Sequence, residues 1–174
     1  RDRKKGCVIL VNKWDLADAV SQREYGPELL RVIPFMSPCP IVFASASTGY
    51  NIRRSIEVID HVASQVQARL PTGVLNRALL DASEKVQPPS VGGKRLKIYY
   101  STQVGTAPAT IRMFVNDPDR VKDAYESYLI RAVREKFGLE GAPVVLEFAA
   151  RPRQEVGQRS RGHEEPADDE PADE

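Results

Sequence analysis

The chain has 174 residues, 41% of them hydrophobic, and 25 Lys and Arg stand against 24 Asp and Glu, for a net charge of +1. That length gives one or two domains with enough apolar material for a packed core. No apolar run approaches the roughly 18 residues of a membrane span, and no signal peptide opens the chain. Cys7 and Cys39 form no C-x-x-C, and His61 and His163 are isolated, so there is no metal-ligand spacing. Both cysteines read as small buried hydrophobes of a reducing compartment. The charge is uneven. Residues 151–174 carry four arginines and eight acidic groups, net −4, which leaves a body of +5. A mildly basic body is compatible with a nucleic-acid partner without being evidence for one.

After a polar lead-in over Arg1 to Gly6, the run Cys7-Val8-Ile9-Leu10-Val11 reads as a buried parallel strand. Asn12-Lys13-Trp14-Asp15 follows at its carboxyl end, where open α/β sheets bind ligands. Guanine presents a ring imino donor and an amino donor side by side, and one carboxylate, Asp15, can accept both. Adenine offers no such pair. Asn12 can brace the loop and contact the purine, and the Lys13 stem can lie over the base. By itself the tetrapeptide also fits a solvated turn after a strand. Residues 18–36, with Val20, Leu29, Leu30, Val32 and Ile33, predict a helix that Gly26-Pro27 breaks or restarts. Met36 to Pro40 is a turn. A second apolar strand from Pro40 then ends in Ser45-Ala46-Ser47, where a small residue lets a backbone N–H approach the six-oxo group of guanine. Strand, NKxD, helix, strand and SA in that order resemble the guanine-reading half of a translation-factor-type GTPase.

No G-x-x-x-x-G-K-[ST] and no D-x-x-G occurs in the chain. The expectation is a chain that begins inside a GTPase domain and holds no catalytic residue. The alternative is a domain that has lost its P-loop. Asn51 is placed to cap a helix with Ile52, Ile56, Ile59, Val62, Ala63 and Val66 on one face, ending near Leu70. Pro71 marks a boundary.

Beyond it, Thr72 can cap a helix with Val74, Leu75, Leu79, Leu80 and Val86 as its apolar positions. Residues 87–93 read as a linker. Lys94 to Gln103 alternates as a strand, with Leu96, Ile98 and Tyr100 on one face and Lys97 and Tyr99 on the other. After a loop at Val104 to Pro108, Thr110 to Asn116 is a second strand. Asp117-Pro118-Asp119 starts a helix whose stripe is Val121, Ala124, Tyr125, Tyr128, Leu129, Ala132, Val133 and Phe137, stopped by Gly138. Pro143 to Ala149 is a third strand. The order predicts an α+β sandwich with its helices on one sheet face.

Three stretches of this second half, Arg95 to Thr106, Phe114-Val115-Asn116-Asp117-Pro118 and Phe137 to Pro143, resemble the C-terminal KH-like domain of the bacterial ribosome-assembly GTPases of the Der (EngA) family. Thr72 to Asn76 and Asn12 to Leu16 fit the same family. The resemblance covers about residues 1–150. It implies an α/β chain with a partial P-loop-type GTPase domain with a parallel sheet over 1–70 and an α+β KH-like domain over 71–150; residues 151–174, Arg-rich and then acidic with Pro and Ala, read on composition as a disordered charged tail. It further implies a cytoplasmic GTPase that uses GTP or GDP with magnesium and binds the large ribosomal subunit or its RNA. Asn12, Lys13, Trp14, Asp15, Ser45, Ala46 and Ser47 would be guanine contacts. Two tandem GTPase domains precede the KH-like domain in such proteins, so the missing amino-terminal part is itself an expected partner. For the chain alone no cofactor is expected. Ser47 stands where the family commonly has a larger apolar residue.

The usual KH route to RNA uses a G-x-x-G loop between two helices. Here Gly138 to Gly141 lies between a helix and a strand and reads as a helix stop plus a turn. Lys94, Arg95 and Lys97, beside Tyr99, are the candidate RNA surface, against the plain alternative of a solvated strand face. A different class of reading stays open: a stand-alone RNA- or protein-binding KH-like module with a remnant, non-catalytic nucleotide fold.

Overall fold

The computed structural model describes residues 4–17, 20–88 and 90–151. The charged tail, apart from Arg151, lies outside the described residues, as do Asp18 and Ala19 at the expected start of the first helix.

The first half is a parallel pair with two helices. β1 (Ile9–Val11) pairs β2 (Ile41–Phe43), Ile9 opposite Ile41 and Val11 opposite Phe43. β1 is shorter and less buried than its apolar run predicts, and Leu10 is 52% exposed. The reason is pairing: β1 has β2 on one side and no strand on the other among the described residues. Between β1 and the next helix but one lies an open apolar groove of ≈ 540 Å³, lined by Leu10, Ile59, Val62 and Val66.

α1 (Gln22–Val32) runs straight through Gly26-Pro27, which was expected to interrupt it. Its first turn is fixed before the proline is reached. The Glu24 N–H donates to Ser21 Oγ and the Ser21 N–H to the Glu24 carboxylate, a capping box. Pro27 then removes one helix bond. Gly26 is the buried residue, and a Cβ there would touch Ile41 and Phe43 at 3.9 Å. Val20 lies ahead of the helix and Val32 is 79% exposed, so neither belongs to a buried stripe.

α2 (Ile52–Val66) buries Ser55, Val58 and Val62 rather than the isoleucine row, for Ile56 and Ile59 are more than half exposed. Asn51 stands at the cap position but does not cap. Its backbone is left-handed and its side-chain amide donates to Phe43 O (2.9 Å), tying the helix start to β2.

The second half is the α+β sandwich expected. α3 (Thr72–Lys85), β5 (Ile98–Gly105), β6 (Ala109–Val115), α4 (Asp123–Phe137) and β7 (Val144–Ala150) follow in order. The sheet runs β5-β6-β7, antiparallel then parallel. Its core joins Leu75 and Leu79 of α3, Ile111, Met113 and Val115 of β6, and Leu129 and Val133 of α4. Leu70, just before Pro71, is buried in the same core, and its N–H donates to the Gln103 side chain (2.8 Å).

Several local expectations give way to packing. Thr72 is the first residue of α3 and Pro71 holds the cap position, without a side-chain cap. Val74, Leu80 and Val86 are exposed, because α3 turns Leu75, Leu79 and Ala82 inward. The 87–93 linker contains half of a small hairpin, β3 (Ser90–Val91) with β4 (Lys94–Arg95). Asp117 caps a separate single 3-10 turn, Pro118–Arg120, before α4 begins, and Ala124 is exposed. Gly138 does stop α4, at φ +80°.

The largest departure is in β5. Its register with β6 shifts between Ile98 and Tyr100, a bulge. Ile98 stays on the core side, but Tyr100 turns to the opposite face and stacks on Phe114. Ser101 comes inward in its place. It is fully buried, and its Oγ has no hydrogen-bond partner. Burying an unpartnered hydroxyl is unfavourable, so Ser101→Ala is expected to stabilise the chain by about 1 kcal/mol. A urea midpoint that falls in this variant would mean that the hydroxyl has a partner.

Candidate functional site

The two sequence motifs meet at the carboxyl ends of β1 and β2. Parallel pairing fixes the approach: the Ala44 N–H donates to Val11 O (2.9 Å) and the Trp14 N–H to Ala44 O (3.0 Å). Lys13 adopts a left-handed conformation, φ 61°, that turns the chain out of β1 into a single 3-10 turn over Trp14–Leu16. Asn12 braces the facing loop, its Oδ1 accepting from the Ala46 N–H (3.1 Å).

Behind the loop, Ser45 is fully buried and organises its own turn. Its N–H donates to Tyr50 O (3.0 Å), and its Oγ accepts from the Thr48 N–H (3.3 Å) and lies 2.9 Å from Ser47 Oγ. Ser47 in turn donates to Asp15 Oδ2 (3.3 Å). Ser45, Ser47 and Asp15 thus form a short relay from the buried loop to an exposed carboxylate. The Ser45 hydroxyl, first of all, holds the Asp15 carboxyl below its ordinary range; slight desolvation opposes this, and the Asp15 N–H, Ser47 and the Lys13 charge add to it. The hydroxyl at Ser47 makes a hydrogen bond that an apolar residue there could not.

Asn12, Asp15, Ser45, Ala46 and Ser47 are therefore brought into one network, with the Lys13 charge beside Asp15. Trp14 is arranged differently. Its ring packs against Phe43 (4.4 Å) and Tyr25 (5.5 Å), under the loop. With Asp15, Thr48 and Tyr50 it lines a small hollow of ≈ 270 Å³. Thr48 and Tyr50 were not singled out in the sequence; their place directly after the Ser-Ala loop was the available signal. What the arrangement offers chemically is an ionised, acceptor-only group at the mouth of a partly aromatic hollow, suited to a planar ring with two adjacent donors.

The basic candidates lie elsewhere and are split. Lys94 and Arg95 sit on β4, where Arg95 donates to Gln87 Oε1 (2.7 Å). Lys97 precedes β5, its Nζ 5.5 Å from the Tyr99 ring centre. Among the described residues no group of three or more His, Cys, Asp or Glu could hold a metal ion, and no helix is long and apolar enough to cross a membrane.

The Gly138–Gly141 loop is a clasp between the two halves. The Cys7 N–H donates to Gly141 O (2.9 Å) and the Gly141 N–H to Pro38 O (2.7 Å), so the glycine peptide fits between the amino ends of the two strands. Arg134 forks onto Leu139 O and Ala142 O, both 2.6 Å, and the Leu139 N–H reaches Gln65 (3.2 Å). Cys7 and Cys39 are half-buried here, and burial first, then the neighbouring Cys7, pushes the Cys39 thiol up to about 11.

Comparison with known proteins agrees with this architecture. The family described as "KH-domain-like of EngA bacterial GTPase enzymes, C-terminal" matches residues 69–149. The chain is 41% identical over 149 residues to the GTPase Der of Caldanaerobacter subterraneus subsp. tengcongensis, over 84% of this chain and 34% of that protein. For the GTPase Der of Natranaerobius thermophilus the figures are 42% over 149 residues, 84% and 34%. For that of Gloeobacter violaceus they are 39% over 163 residues, 92% and 36%. The chain thus spans about a third of the length of the curated relatives it matches. Residues 69–149 thus carry the KH-like C-terminal domain of the EngA bacterial GTPases, and the chain is about 40% identical over most of its length to proteins named GTPase Der.

Proposed function

We propose that this chain supplies the guanine-reading half and the RNA-facing domain of a GTP-binding, GTP-hydrolysing ribosome biogenesis factor that acts in the cytoplasm on the large ribosomal subunit. The observation that supports the reading is the Ser45–Ser47–Asp15 relay, which positions a carboxylate beside the hollow. In this reading Asp15 accepts the two guanine donors and Asn12 holds the Ala46 loop at the purine edge. Lys13 lies along the base, and Ser45 and Ser47 position Asp15. Trp14 stiffens the loop from below. The working division is 1–70 for the nucleotide half and 71–150 for the KH-like domain, followed by the charged tail.

The residues present fit the guanine base and not the rest of the nucleotide. In this reading the triphosphate and magnesium fall to the parts of the relatives' length that this chain does not match. GTP with magnesium supplies there the bond that is broken; this chain selects the base and carries the KH-like domain.

The test is a graft. This chain replaces the matching third of a curated Der protein, and guanine-nucleotide binding and GTP hydrolysis are measured. Retained selectivity for GTP over ATP is the expected result. A folded graft that binds no guanine nucleotide would sink the reading.

A further inference from the structure

A regular strand sends successive side chains to opposite faces. The bulge in β5 breaks that rule at Tyr99 and Tyr100, with Ile98 before them and Ser101 after them both turned to the core. Tyr100 therefore lies on the sheet face opposite the buried β6 residues, and both tyrosines also border a cleft at the β5 edge with Asn76 and Leu80 of α3. Tyr100 lies nearly parallel to Phe114 of β6, centroids 4.6 Å apart and planes 9° apart. Tyr99 sits beneath two cations, the Arg151 guanidinium at 5.0 Å and Lys97 Nζ at 5.5 Å. Tyr99 and Tyr100 remain 38% and 47% exposed. The displacement has a structural cost, the orphaned Ser101 hydroxyl in the core. Bulges that re-aim side chains are commonly found beside functional sites.

Partly exposed aromatic rings with cations at one edge match one ligand chemistry well: unpaired bases that stack, joined by phosphates that pair with the cations. The charge on the face is asymmetric. Arg112 is neutralised by Glu147 (2.9 Å), so among the described residues the positive charge without an ion-pair partner on this face gathers at the Tyr99 end. A duplex hides its base faces and cannot use the platform. We propose that the helix-free face of the β5-β6-β7 sheet binds single-stranded RNA, with bases stacked on Tyr100, Phe114 and Tyr99 and phosphates on Lys97 and Arg151. Single-stranded DNA shares the stacking chemistry, and the choice of RNA rests on the ribosomal reading above. The surface differs from the Lys94–Arg95 hairpin edge and from any G-x-x-G loop.

The experiment uses the whole 174-residue chain and fluorescence anisotropy with a labelled oligouridylate of about ten nucleotides. An RNA duplex and an oligothymidylate serve as comparisons. Tyr100→Ala is expected to weaken single-strand binding about five- to hundredfold and to leave duplex binding unchanged. Tyr100→Phe, which keeps the stack, should bind like the parent. Lys97→Ala should lower the slope of log affinity against log salt by about 0.7. Circular dichroism confirms that each variant is folded. If Tyr99→Ala and Tyr100→Ala both bind oligouridylate as the parent does, the platform is overturned and the RNA reading stands. Loss only on charge reversal at Lys94 and Arg95 moves the surface to the hairpin. Equal affinity for oligothymidylate overturns the assignment to RNA. A chain that binds neither RNA form, and binds the amino-terminal part of a Der protein in a Tyr100-dependent way, makes this face a protein interface and removes the RNA reading with it.

Discussion

Gly141→Ala is expected to destabilise the chain by about 2–5 kcal/mol, the sum of two independent costs. The first is conformational. Gly141 has φ +67°, where an L side chain costs about 1–2 kcal/mol. The second is steric. An added Cβ would lie 2.6 Å from Cys7 O and 2.8 Å and 3.0 Å from the Val62 methyl groups. Cys7 cannot retreat freely, because its N–H is bonded to the carbonyl of the same glycine. Overpacking of this kind costs about 1–3 kcal/mol. Gly138→Ala is the control. Its φ is +80°, but the nearest atom to a new Cβ is a side-chain oxygen at 3.8 Å, so only the first cost, about 1–2 kcal/mol, applies. Urea titration of both variants measures the difference, and amide exchange at Cys7 and Gly141 should quicken in the first alone. Equal midpoints would show that the clasp is loose.

Asp15→Asn, made in the grafted Der protein, is expected to move base preference from guanine toward xanthine. In the proposed guanine contact the carboxylate would accept from both guanine donors, whereas the amide would keep one acceptor and offer one donor, which suits the added oxo group of xanthine. A good bidentate base contact is worth about 1–3 kcal/mol, so the GTP:XTP ratio should fall by about five- to hundredfold. An unchanged ratio would remove Asp15 from the base pocket. The same carboxylate sets a pH dependence. Its pKa is held low in the folded chain, so the contact is present above the ordinary carboxylate range and is lost only as pH falls below it. Ser45→Ala removes the first cause of that shift and should move the acid limb of GTP binding to higher pH.

Much of this was legible because the signals are local. A strand, its NKxD turn, a second strand and its Ser-Ala loop define one end of a parallel pair without reference to the rest of the chain, and the parallel register carries Asn12 to Ala46. The α4 stripe through Tyr125, Leu129 and Val133 was readable for the same reason, and Gly138 ends the helix where a left-handed residue is needed. What escaped depends on neighbours. Alternation placed Tyr100 on one face with Leu96 and Ile98, but a bulge shifts the phase by one residue, and nothing in the local pattern marks it. Asn51 was expected to cap α2, but the nearby carbonyl of Phe43 takes its amide. Ile56 and Ile59 look like core residues and are exposed, because β1 and α2 have nothing on that side among the described residues. Gly141 looked like a plain turn, and only the fold shows what lies against it.

Trp14 gives the molecule an optical property. It is the chain's single tryptophan, with six tyrosines, and it occupies the residue next to Asp15. Indole emission excited at its long-wavelength edge therefore comes from one place, the turn beside the Asp15–Tyr50 hollow. Tyr25, 5.5 Å away, can pass its excitation to that indole, and Phe43 shields the ring at 4.4 Å without absorbing in its range. Movement or desolvation of that turn shifts the colour and yield of the whole chain's fluorescence. The unlabelled protein carries its own reporter of events at the Asn12–Asp15 turn.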